Sequence, residues 1–68
     1  MNQPTADYFS PKNYTVLVID DKPTNLMVLV DYLHDQGFRV LTARSGESGI
    51  QRAILGKPDV VLLDVLMP

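Results

Sequence analysis

Two apolar runs that each break off at a carboxylate constrain this chain more than any other feature. Residues 14–19 read Tyr-Thr-Val-Leu-Val-Ile and run into Asp20 and Asp21; residues 59–64 read Asp-Val-Val-Leu-Leu-Asp and end on Asp64. Both runs are too apolar at their centres for strands with one wet face. They suit parallel strands covered on both sides. Parallel strands in one sheet need a crossover between them, usually a helix, so the segment between the runs should supply one.

That segment does. Pro23, Thr24 and Asn25 open a helix, because proline is favoured in the first turn, where its missing N–H has no intrahelical partner to lose. Leu26, Leu29, Val30 and Leu33 recur at helical spacing and form one apolar stripe, broadened by Met27 and Val28. Asp31, His34, Asp35 and Gln36 take the wetter side, and Gly37 fits the stop. Residues 38–43 read as a second strand, and Arg39 inside it suits an edge position. A second helix follows from about Ser45, a good N-cap. No capping box is expected, because the position three residues later is Ser48 and not Glu or Gln. Ile50, Ala53 and Ile54 should form its buried stripe, with Gly56 and Pro58 marking its end. The order is βαβαβ, and such alternation implies parallel strands joined by right-handed crossovers. Residues 1–13 show little periodic pattern and read as a mobile leader to a unit spanning residues 14–68.

With 68 residues the chain holds one domain at most. A unit this small buries only about 60% of the surface its unfolded chain exposes. It has no cysteine, and one histidine, His34, cannot build a structural zinc site. Six Lys or Arg against eight Asp or Glu leave no electrostatic footprint for nucleic acid. No basic amphipathic stretch, membrane-spanning run or secretory signal is legible. The reading is of a cytoplasmic protein that binds neither nucleic acid nor membrane.

In open α/β sheets, ligands bind beyond the carboxyl ends of the strands, where strand order reverses. If the first and third strands are neighbours, Asp20, Asp21 and Asp64 meet at that end. Taken singly, each is explained as a turn former or helix cap. Taken together, at the ends of two apolar runs, they point to a shared site. Three carboxylates brought together are costly unless a cation lies between them, and oxygen ligands with retained water point to Mg²⁺. Such an ion could also offset the charge of a phosphoryl group during transfer.

The chain resembles the receiver domain of two-component response regulators. The matching pieces are Val16-Leu17-Val18-Ile19-Asp20-Asp21, Pro23-Thr24-Asn25-Leu26, Ala43-Arg44-Ser45-Gly46-Glu47, and the run from Pro58 through Asp64 to Val65-Leu66-Met67-Pro68. Their order and spacing make the likeness specific from about Tyr14 onward. The resemblance implies a phosphoprotein of a phosphorelay that is not a turnover enzyme. Asp64 would be the phosphoacceptor, taking a phosphoryl group from a sensor histidine kinase or phosphotransfer protein. Asp21 would bind Mg²⁺ directly, Asp20 through water, Asp64 itself would contribute, and the backbone carbonyl of Leu66 would complete the metal ligands.

Family members have five strands in the order 2-1-3-4-5. This chain carries the N-terminal half, so the fold implied is α/β, a partial doubly wound parallel sheet of order 2-1-3: a flavodoxin-like receiver truncated after the third strand. The later strands that bear the family's switch Ser or Thr and its Lys are not in the sequence. Lys22 reads as a solvated loop lysine. A bare outer edge on the third strand and an uncovered first helix predict a homo-oligomer through those surfaces. Two functions compete: a phosphoacceptor module, and a receiver fragment that only oligomerises or docks a kinase without phosphotransfer. A phosphatase forming an aspartyl phosphate ranks last, because such enzymes place a second Asp two residues past the nucleophile, where this chain has Leu66.

Overall fold

A computed structural model describes residues 10–64. After a 3-10 turn at Pro11–Asn13 the elements are β1 (Thr15–Ile19), α1 (Pro23–Asp35), β2 (Arg39–Ala43), α2 (Gly46–Gly56) and β3 (Val60–Leu63). The three strands form one parallel sheet in the order β2-β1-β3, the arrangement expected of the sequence. Leu17 of β1 stands opposite Leu41 of β2 and Val61 of β3.

The central strand carries the core, because among the described residues it alone has a neighbour on each side and a helix on each face. Strand side chains alternate between faces. Val16 and Val18 pack with Leu26 of α1 on one face, and Leu17 and Ile19 pack with Ala43 and Ala53 on the other. Leu17 and Val18 are fully buried, and burying such a side chain contributes about 1.5–3 kcal/mol.

The two helices seat themselves differently from one another. Leu26 and Leu33 of α1 face the sheet as expected, while Met27 and Val28 face water. In α2 the expected buried stripe is displaced. Ile50 and Ile54 are 64% and 68% exposed, Ala53 packs inward as expected, and Gly49 is buried beside it. A Cβ on Gly49 would collide with the Ile19 side chain, and one on Gly56 with Leu41. The two glycines therefore let α2 lie close on the sheet, and that seating sets its rotation. Ser45 caps α2 as expected, its Oγ accepting from the Ser48 N–H at 3.1 Å. The helix runs through Gly56 and ends on Lys57 in the left-handed region, at φ 47°.

Of the expected leader, residues 1–9 lie outside the described residues, and Pro11–Asn13 form the turn that leads into β1. Among the described residues, no helix is long and apolar enough to cross a membrane.

Candidate functional site

Backbone pairing carries the acidic residues to one end of the sheet. The Asp20 N–H donates to the Ala43 carbonyl at 3.1 Å, and the Asp64 N–H donates to the Ile19 carbonyl at 3.1 Å. Both bonds continue the ladders past the last strand residues, so Asp20 and Asp64 project from the carboxyl ends of adjacent strands. The far end is fastened separately: the Asp59 N–H donates to the Thr15 carbonyl, and the Thr15 N–H donates to Asp59 Oδ2 at 2.7 Å.

One carboxylate oxygen from each of Asp20, Asp21 and Asp64 lies within 4.8 Å of the others. Asp20 is only 5% exposed. Its Oδ1 accepts the Lys22 N–H at 2.9 Å, a local turn that also fixes the loop. Asp21 is half-buried, and its Oδ1 is shut off from solvent without a hydrogen-bond partner. A buried carboxylate oxygen left unpaired is costly. Hard oxygen donors converging on one point, one of them unsatisfied, fit a small divalent cation. The three acids named from the sequence are thus brought together. Leu66 lies outside the described residues.

The structure adds residues that strand and helix patterns do not single out. A cavity of about 280 Å³ opens beside the acids, and its wall includes Lys22 and Asn25 as well as Asp20 and Asp64. Arg44, on the loop after β2, donates from Nη2 to the Asp21 carbonyl at 3.3 Å and ties the two loops together. The signal for Asn25 was present in the spacing: positions three apart share a side of a helix turn, and Lys22 is the N-cap of α1.

A family model for the response regulator receiver domain matches residues 16–68. The protein PilH of Pseudomonas aeruginosa is 43% identical over 53 residues, covering 78% of this chain and 44% of the relative. The alkaline phosphatase synthesis transcriptional regulatory protein PhoP of Bacillus subtilis is 38% identical over 56 residues, covering 82% and 23%. The transcriptional regulatory protein PdtaR of Mycobacterium tuberculosis is 33% identical over 69 aligned positions, covering the whole chain and 34% of the relative. The chain thus spans less than half the length of these curated relatives. No solved structure is significantly similar to it.

Proposed function

We propose, from the premise that this chain belongs to the response regulator receiver domain family, that it is a phosphoacceptor module of a two-component phosphorelay and not a turnover enzyme. The observation that carries this reading is the convergence of Asp20, Asp21 and Asp64 within 4.8 Å at the carboxyl end of the sheet. Asp64 is the acceptor. One of its carboxylate oxygens forms the new O–P bond as the N–P bond of a phosphohistidine on a sensor kinase or phosphotransfer protein breaks. The electron pair of that bond returns to the imidazole nitrogen, and an acyl phosphate remains on Asp64.

Mg²⁺, held by Asp21 directly, by Asp20 through water, by Asp64 and by the Leu66 carbonyl, would supply positive charge against that of the phosphoryl group. The chain's own part is positional. The ladder bond from Asp64 to Ile19 sets where the acceptor stands. The Lys22 N–H holds Asp20 in place, and Arg44 steadies the loop that carries Asp21. This chemistry belongs to the cytoplasm, where a kinase phosphohistidine is reached.

The test is labelling with acetyl phosphate and Mg²⁺, read by intact mass. A Mg²⁺-dependent phosphoryl adduct on the wild type, absent from Asp64→Asn, is expected. A folded wild type that takes no adduct overturns the acceptor reading.

A second reading has its own observation. All four residues of β3 are 40–56% exposed, and among the described residues the strand pairs only with β1. An uncovered apolar strand supports a module that associates with a second copy of itself through β3 and α1 without phosphotransfer.

A further inference from the structure

The cavity beside Asp64 joins unlike surfaces. One part of its wall is acidic, from Asp20 and Asp64, and another is the start of α1, from Lys22 and Asn25. Among the described residues, Lys22 is the one cationic residue lining it. Its backbone is held on both sides: its N–H donates to Asp20 Oδ1 at 2.9 Å, and its carbonyl accepts the Leu26 N–H at 3.1 Å. Pro23 then fixes the next φ. The side chain, by contrast, is exposed, so an accessible ammonium stands on a fixed backbone at the cavity wall. Asn25 follows three positions later in the same helical turn, and its carboxamide brings two further N–H donors.

Charge explains why such a wall matters. Three ionised carboxylates with one divalent cation still leave the site negative, and a phosphodonor brings a phosphoryl group that is itself negative. That group enters more readily where a cation outside the metal ligands faces it. Granting the acceptor reading above, we propose that Lys22 and Asn25 form the anion-binding wall of the site. The Lys22 ammonium attracts the phosphoryl oxygens of the donor, and the Asn25 carboxamide orients them toward Asp64. Lys22 is then a binding residue for a phosphoanion.

The test follows the rate of adduct formation on the full chain against acetyl phosphate concentration. In that reaction Asp64 gains the O–P bond and acetate leaves with the electron pair of the bond that breaks. Mg²⁺ affinity is measured separately by calorimetry. Lys22→Gln should raise the half-saturating donor concentration by up to about fivefold, the upper end of the scale for one exposed charge contact. Lys22→Arg should stay within about twofold of wild type, since the charge is kept. Asn25→Ala should raise half-saturation by a smaller factor. Lys12→Gln, the same charge change at the other end of β1, should leave it unaltered.

Mg²⁺ binding to Lys22→Gln should be unchanged or tighter, because a positive charge has been removed beside the acids. A purely structural role for Lys22 predicts the opposite, since a loosened acid loop weakens both ligands. Wild-type half-saturation in Lys22→Gln, or parallel loss of Mg²⁺ and donor binding, overturns the inference while the acceptor reading stands. A folded wild type that takes no adduct overturns both.

Discussion

At Asp21 the chain holds a carboxylate oxygen out of water, without a partner, close to two more carboxylates. At an effective dielectric constant of about 20, two unit charges ~5 Å apart repel by roughly 3 kcal/mol, and partial exposure with salt reduces this to about 1 kcal/mol. Asp21→Asn removes one charge and keeps the shape. In metal-free buffer at low ionic strength it should therefore raise the unfolding free energy by about 1 kcal/mol, measured by urea denaturation. Added Mg²⁺ should stabilise the wild type and leave the variant nearly unmoved, because ligand binding to the native state alone is what shifts stability. Equal shifts in both proteins would sink the assignment of Asp21 as a cation ligand. The acids were legible in the sequence because each terminates an apolar run, and backbone ladders place such residues without side-chain detail. Lys22 was not. Its place in the cavity wall depends on the turn its own N–H makes with Asp20, which no periodicity records.

Helix α2 shows how a correct element is given the wrong rotation. Its existence and its Ser45 start were readable, but Ile50 and Ile54 were expected to be inside and both face water. Hydrophobic periodicity weighs side chains, so it gives no weight to Gly49, which is buried because it has none. The ends of the same helix support two opposite stability changes. The Ser45 hydroxyl satisfies an N–H that the first turn leaves unpaired, so Ser45→Ala should lower stability by about 1 kcal/mol. Lys57 occupies the left-handed region at φ 47°, where a Cβ is strained. Lys57→Gly should raise stability by roughly 0.5–1 kcal/mol, the gain being reduced by glycine's greater freedom in the unfolded chain. Urea midpoints at an unchanged slope would check both. A Lys57→Gly chain no more stable than the wild type would show that the cap is not strained.

Over the whole molecule, burial is concentrated on β1 and thins toward β3. Val16 to Ile19 are buried, while Val60 to Leu63 are not. An apolar cavity of about 310 Å³ lies between α2 and the sheet, bounded by Leu17, Ile19, Ile50, Ala53, Val61 and Leu63. Val61 thus belongs both to that cavity and to the strand that borders the sheet. Among the described residues the outer edge of this uncharged strand pairs with no other strand; such an edge is a template for pairing, and a two-fold axis beside it would set β3 of one copy antiparallel to β3 of the next. Self-association through β3 accordingly predicts a sedimentation mass above that of one chain, rising with concentration through the micromolar range. Val61→Lys places a charge in the middle of that strand and on its repeat across the axis, where like charges directly opposed are destabilising. The variant should sediment as a monomer while keeping the far-ultraviolet circular dichroism of the wild type. A wild type that is folded and monomeric at the highest concentration tested would remove the self-association reading. The acid site at the carboxyl end of β1 and β3 would then function within a single chain, because its three carboxylates come from one copy.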